Sequence, residues 1–360
     1  MNRRVLVARL DSLGDVLLAG PAVRAVAARA EVVMLCGPRG AAGARLLPDV
    51  SEVLVWDAPW ISQPPPEASE DHVAELLALL RSARVDEAVI LTSFHQSPLP
   101  LALLLRLAGV ARISGASTDY PGSLLDVRLR PGETLAEDIP EHRRALAIAD
   151  AAGFPCPDDG RLRVLPTPDT GELTGAGPYV VLHPGASAES RRWPAESFRR
   201  AARMLLDLGQ RVVLTGGLPE RALTASIARG DTRIIDLAGA CSTQELAGVL
   251  AGADALVCGN TGPAHLAAAV GTPVVSLFSP VVPAIRWAPH GVPVRILGDQ
   301  DAPCRDSRAV HCPVEGHPCL AGVRPEEVVR ALLELEIAAG PEAGDAVTAV
   351  DGPGERKGAA

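Results

Sequence analysis

Lysine is nearly missing from this 360-residue chain, with Lys357 the single example, and asparagine occurs only as Asn2 and Asn260. Nearly all positive charge is therefore arginine. With the abundance of Ala, Gly and Pro, that bias marks a GC-rich genome rather than a function. An excess of positive charge is lacking too: the formal net charge is -9, which excludes the clustered basic surface that displaces counterions from nucleic acid. No apolar run reaches the roughly 18 residues of a membrane span. The best stretch, Leu99 to Leu107, is broken by Pro100 and Arg106, and reads as a core helix or as a peripheral membrane contact. The basic N-terminus has neither the apolar length nor the small-residue cleavage site of a secretory signal. A cytoplasmic protein is expected, if anything at the inner face of the cytoplasmic membrane. Seven cysteines spread from Cys36 to Cys319 lack the density of a disulfide framework and read as free thiols.

What is present is a repeated rhythm. Short β-branched runs at Arg4 to Ala8, Glu31 to Leu35, Glu52 to Trp56, Asp86 to Leu91 and Ala111 to Ser114 alternate with helical patterns at Asp15 to Arg29, His72 to Ala83 and Ser97 to Leu107. That alternation is the mark of βα units around a parallel sheet. Pro64, Pro65 and Pro66 place a surface loop between Ser62 and Glu70. A proline- and glycine-rich stretch from Phe154 to Pro178 makes the best domain boundary. Beyond it the rhythm restarts at Tyr179 to His183, Arg211 to Thr215, Arg233 to Leu237, Asp254 to Cys258 and Pro273 to Phe278. Pro194 at a first helical turn, Gly209 as a stop, and Ser242 with Glu245 as a capping box sharpen the helices between them. The fold class is α/β, with Rossmann-like domains at 1–165 and 178–338 facing a cleft and a disordered tail at 339–360. Ligands of such sheets bind at the carboxyl ends of the strands.

Three turns carry chemistry. Arg9-Leu-Asp-Ser12-Leu-Gly14-Asp15-Val16 leaves the first strand and opens a helix. Asp15 reads either as a first-turn carboxylate favoured by the helix dipole or as a general base for an attacking hydroxyl, with Ser12 and Gly14 forming an acceptor-side loop. His183-Pro-Gly-Ala-Ser187, followed by Arg191 and Arg192, offers backbone N–H groups and guanidinium forks suited to a diphosphate; its plainer reading is a solvated basic turn. In Cys258-Gly-Asn260-Thr261-Gly262-Pro-Ala-His265, Asn260, Thr261 and a helix start face phosphates or ribose, while His265 is either a ligand or a packed core residue. Between them, Thr215-Gly216-Gly217 ends a strand, and Glu220 is placed to accept from ribose hydroxyls or to sit in solvent.

Taken together, His183-Pro-Gly, Arg191 before Trp193-Pro194, Thr215-Gly-Gly, Gly259-Asn-Thr-Gly-Pro-Ala-His265-Leu-Ala-Ala-Ala with Gly271-Thr-Pro, and Leu13-Gly-Asp-Val-Leu17 resemble glycosyltransferase family 9, which contains the ADP-heptose:lipopolysaccharide heptosyltransferases. The likeness runs from about residue 3 to 335. It implies a GT-B architecture, inversion at the anomeric carbon, no catalytic metal and no cofactor beyond the nucleotide diphosphate sugar co-substrate, with ADP-heptose favoured. On the family pattern Asp15 is the catalytic aspartate. Arg191 stands where members commonly have a phosphate-contacting lysine, and Asn260 where many have aspartate; Thr261, Gly262 and His265 match directly. The acceptor is left open among glycans, lipid-linked molecules and small molecules.

Rival readings are a nicotinamide-dependent oxidoreductase, from Gly37-Pro-Arg-Gly40-Ala-Ala-Gly43 after a strand, a nucleotide-sugar epimerase of similar architecture, and a non-catalytic nucleotide-sugar-binding protein. The glycine spacing departs from G-x-G-x-x-G. Cys304, Cys312, His317 and Cys319 have the atom types of a zinc site but not its spacing, and read as a loop before the terminal helix.

Overall fold

The computed structural model describes residues 3–338; the tail expected at 339–360 lies outside them. In the first half, strands β1 (Arg4–Arg9), β2 (Glu31–Cys36), β3 (Val50–Val55), β4 (Glu87–Ile90), β5 (Arg112–Ala116) and β6 (Val127–Leu129) form a parallel sheet in the order β3-β2-β1-β4-β5-β6. In the second half, β7 (Val180–His183), β8 (Val212–Leu214), β9 (Ile234–Asp236), β10 (Ala255–Gly259), β11 (Val274–Leu277) and β12 (Val294–Leu297) repeat that order as β12-β11-β10-β7-β8-β9. Each sheet changes direction beside its first strand, so β1 and β7 both open onto a topological switch point.

The connecting helices are α1 (Leu13–Ala27), α2 (Ala41–Ala44), α3 (Glu70–Ala83), α4 (Leu99–Ala108) and α5 (Glu141–Ala151) in the first half. In the second half they are α6 (Gly171–Thr174), α7 (Ala195–Asp207), α8 (Arg221–Ala228), α9 (Thr243–Ala251), α10 (Gly262–Val270), α11 (Ala284–Trp287), α12 (Pro318–Ala321) and α13 (Pro325–Ala338). Helix α1 is buried nearly all round, from Val16 to Val26. It lies between its own sheet, α5 and α10 of the other half, so a one-sided amphipathic pattern would not suit it. The capping box at Ser242 forms: its hydroxyl accepts from Glu245 N at 3.2 Å, and the Glu245 carboxylate accepts from Ser242 N at 2.7 Å. Helix α4 buries Leu101, Ala102, Leu104 and Leu105 in the core and leaves Leu103 and Leu107 exposed. No helix among the described residues is long and apolar enough to cross a membrane.

The long connection between the halves is bound to both. Arg24 forks onto Asp158 at 2.8 and 3.1 Å, and Leu165 N donates to Leu46 O. A few residues later, Pro168 and Thr170 pack on α9, and Arg211 holds the carbonyls of Thr174, Ala176 and Gly177. Gly248 is the close-approach point, since a Cβ there would sit 2.5 Å from Pro168 O. Alanine in a helix normally gains about 1 kcal/mol over glycine, but overpacking against backbone costs about 1 to 3 kcal/mol. Gly248→Ala is therefore expected to lower the thermal midpoint, measured by calorimetry, despite its better helix propensity; a raised midpoint would show that the connection gives way freely.

Candidate active site in the interdomain cleft

Every strand-to-helix turn singled out in the sequence leaves the carboxyl end of a parallel strand. Between the two halves these ends enclose a cleft of about 910 Å³. From the first half it is lined by Asp11 to Asp15, Arg39, Gln63, Ser93, His95 and Gln96; the second contributes Ser187, Arg191, Asn260 to Pro263, His265, Trp287, Ser307 and Arg308.

Asp15 sits on the third residue of α1, held from several sides. Ser12 Oγ donates to its Oδ2 at 2.7 Å, Arg9 Nη2 to its Oδ1 at 3.2 Å, and the Trp287 indole to the same oxygen at 3.4 Å. Burial alone would raise its pKa, but Arg9, Ser12 and His265 overcome that and leave it below the ordinary carboxylate value. Beneath it, the buried Arg9 guanidinium meets Asp11 at 2.9 Å, Asp15 at 3.2 Å and Glu141 at 3.3 Å, and donates to Ser93 Oγ at 2.7 Å. Burial outweighs Arg9 at Asp11, where Asp15 adds like-charge repulsion, so the Asp11 carboxyl titrates higher than usual. One loop thus carries two carboxylates with opposite shifts, and the one tied by more hydrogen bonds is the more firmly ionised.

Across the cleft, Arg191 ends a single 3-10 turn (Glu189–Arg191) rather than opening a helix beside Ser187. It makes no ion pair among the described residues, and its Nε is buried without a partner. Asn260 Nδ2 and His265 Nδ1 are likewise buried and unpartnered. Thr261 is the N-cap of α10 but makes no side-chain cap bond, leaving its hydroxyl to the cleft. The two halves touch at their helix starts: a Cβ on Gly14 would lie 2.8 Å from His265 Cδ2, and one on Gly262 2.9 Å from Leu13 Cδ2. His265 is therefore both a packed residue and a lining residue.

Arg192, Thr215, Gly216 and Glu220 stand behind this lining. Arg192 Nε donates to Ala186 O, Thr215 Oγ1 lies 3.0 Å from His183 Nδ1, and Glu220 accepts from Gly217 N at 2.7 Å while filling the space beside Gly185. Gly37, Gly40 and Gly43 are packing positions against Leu10, Val16 and Leu13 at the start of α1. Cys304 and Cys319 are buried in the second core, and among the described residues no group of three or more His, Cys, Asp or Glu is arranged to hold a metal ion. Sequence reasoning passed over Glu141, Ser93, His95, Trp287 and Arg308. For Ser93 and His95 a signal existed, since they follow β4 at the carboxyl edge of the sheet.

Two tandem doubly wound domains with a shared polar cleft at their strand ends define a GT-B architecture. A family model, glycosyltransferase family 9 (heptosyltransferase), matches residues 120–317, and the chain belongs to that family. It is 29% identical over 240 residues to lipopolysaccharide heptosyltransferase 1 of Pseudomonas aeruginosa, a match covering 64% of this chain and 66% of that one. The chain thus spans just under two thirds of that relative's length. Among solved structures it is similar to ADP-heptose lipopolysaccharide heptosyltransferase II of Escherichia coli, with a TM-score of 0.72, 22% identity, and coverage of 93% of this chain and 98% of that one. A family 9 glycosyltransferase from Veillonella parvula gives a TM-score of 0.73 at 17% identity, with 94% and 98% covered.

Burial draws the His265 pKa from 6.5 down to about 4 and that of His142 from 6.5 down to about 3. Both bind protons more readily unfolded than folded, so their neutral forms support the fold fully above pH 6.5 and that support is lost as the pH falls toward the folded values. We expect the thermal midpoint to fall between pH 6.5 and 4, and the decline to be shallower in a His142→Gln, His265→Gln double variant. An equal slope in scanning calorimetry would assign the acid sensitivity to other groups.

Proposed function

We propose that this protein is an inverting glycosyltransferase acting without a catalytic metal, and that it moves a sugar from a nucleotide diphosphate sugar, with ADP-heptose favoured, onto an acceptor hydroxyl. The observation that supports it most is the opposition across one cleft of an ionised carboxylate, Asp15, and a wall of unpartnered polar atoms on Arg191, Asn260 and His265. The first suits an incoming hydroxyl and the second a departing diphosphate. ADP-heptose is favoured because the E. coli relative named above acts on it, and because Thr261, Gly262 and His265 fall on the family pattern.

In this reading the acceptor oxygen approaches the anomeric carbon from the face opposite the phosphate. As the new C–O bond forms and the bond to phosphate breaks, the hydroxyl proton passes to Asp15 and the nucleoside diphosphate leaves. A carboxylate with a lowered pKa is a weak base, so it takes the proton late, once bond formation has made the hydroxyl acidic. Arg191 and the positive end of the α10 dipole hold the departing charge. Ser187 and Asn260 add polar contacts to the same group. Ser12 and Gly14 shape the acceptor side, where a glycan, a lipid-linked molecule or a small molecule remains compatible; a lipid-linked acceptor would bring the protein to the inner face of the membrane.

Asp15→Asn is expected to retain donor binding but lose transfer by about 100-fold or more, the contribution of a general base. Full turnover by a folded Asp15→Asn protein would remove Asp15 from the chemistry. Arg191→Ala is expected to weaken the donor in isothermal titration, with Arg191→Lys keeping part of the affinity, since lysine preserves the charge but not the fork. A thermal-shift panel tests the donor itself: stabilisation by ADP and ADP-heptose is expected, and stabilisation by UDP- or GDP-sugars alone would overturn it.

A further inference from the structure

Helix α11 has no part in the donor wall or in the acceptor loop, yet it crosses from the second half of the chain to the first. Arg286 and Trp287, its last two residues, are both buried. The Arg286 guanidinium lies 4.1 Å above the Phe94 ring, and its Nη2 is 3.5 Å from Asp138; both contacts belong to the first half. Trp287 packs on the same Phe94, with centroids 5.8 Å apart, and its Nε1 reaches Asp15 Oδ1 across 272 positions of sequence. Beneath them, Leu18 and Leu162 of the first half share a buried cluster with Ala268, Phe278, Val282 and Trp287 of the second. The hydrogen bond therefore has a rigid apolar seat on both sides.

We propose that Trp287 is a positioning residue for Asp15: its indole N–H fixes the carboxylate for the acceptor hydroxyl, so that the second domain orients the general base of the first. The inference rests on the reading of Asp15 as that base. Asp15 Oδ2 is engaged by Ser12, and Oδ1 is shared between Arg9 and Trp287. Arg9 and Ser12 belong to the same domain as Asp15 and accompany it in any domain movement, whereas Trp287 does not. A separation of the domains would release this contact and leave Oδ1 to Arg9 alone, with the carboxylate held only from its own domain. The base is then fully set only when the halves are together, which is also when water is kept from the donor.

The other charged groups around the carboxylate are Arg9 on β1, Asp11 in the turn, His95 after β4, Glu141 on α5, Arg191 and His265. None of them is altered in Trp287→Phe, which keeps an aromatic ring beside Phe94 and removes the N–H donor together with part of the indole's bulk. We expect kcat to fall about tenfold, as for loss of one hydrogen bond to a charged group, with KM and calorimetric Kd for the donor unchanged. The acid limb of the kcat profile should move to higher pH, because a carboxylate that loses a donor is easier to protonate. Unchanged kcat and an unmoved acid limb would overturn the proposal, and so would weakened donor binding at full kcat, the mark of a merely structural role. Asp15→Asn, assayed in parallel, separates the two readings. If Asp15→Asn is inactive while Trp287→Phe behaves as wild type, only the positioning role fails; if Asp15→Asn turns over normally, both fail.

Discussion

A single buried cation, the Arg9 guanidinium at the end of β1, organises the floor of the cleft. Taking it out of water is costly, and the expense is offset only because three carboxylates and a hydroxyl converge on it. Those partners come from the turn after β1, the loop after β4 and the start of α5. The ion cluster therefore fixes three segments relative to one another, and Asp15 inherits its place and its ionised state from that arrangement. An arginine suits this position better than a lysine would, because one planar fork reaches Asp11, Asp15 and Glu141 in different directions.

The two walls of the cleft differ. On the first half the carboxylates of Asp11, Asp15 and Glu141 are gathered around Arg9, while on the second Arg191 makes no ion pair among the described residues and its Nε, Asn260 Nδ2 and His265 Nδ1 are buried without a partner. In the proposed reading Asp15 would meet a hydroxyl, which needs only a proton acceptor in place, whereas an anionic group would complete Arg191, Asn260 and Thr261. Glu220 shows how close a residue can lie to such a wall and still face inward: its carboxylate is spent on Gly217 N and on filling the space beside Gly185.

Much of this architecture was legible because buried parallel strands are continuous apolar runs, and ten of the twelve were read within about two residues of their bounds. The missed pair are short edge strands. Val127–Leu129 is only half buried and Val294–Leu297 has an exposed centre, so neither carries the apolar run that signals a core strand. Helix α5 escaped for another reason: Glu141, His142 and Arg144 are its buried residues, next to Ala145, Leu146, Ile148 and Ala149. Charge on the inner face inverts the usual pattern. The turn motifs located the cleft, but Trp287 reaches Asp15 through tertiary packing alone, which no local spacing encodes. Arg192 and Glu220 sit in the turns the motifs mark, with their side chains bonded to Ala186 O and Gly217 N, a side-chain direction that a motif does not specify.

The contact of Gly14 with His265 and of Gly262 with Leu13 brings the first turns of α1 and α10 nose to nose. Each helix start carries the positive end of its backbone dipole, so the junction is a focus of positive potential made from peptide groups rather than from side chains. Asp15 balances the α1 end, and nothing acidic stands in the first turn of α10. That leaves an attraction for anions which no titration in the neutral range can switch off, since backbone dipoles have no pKa.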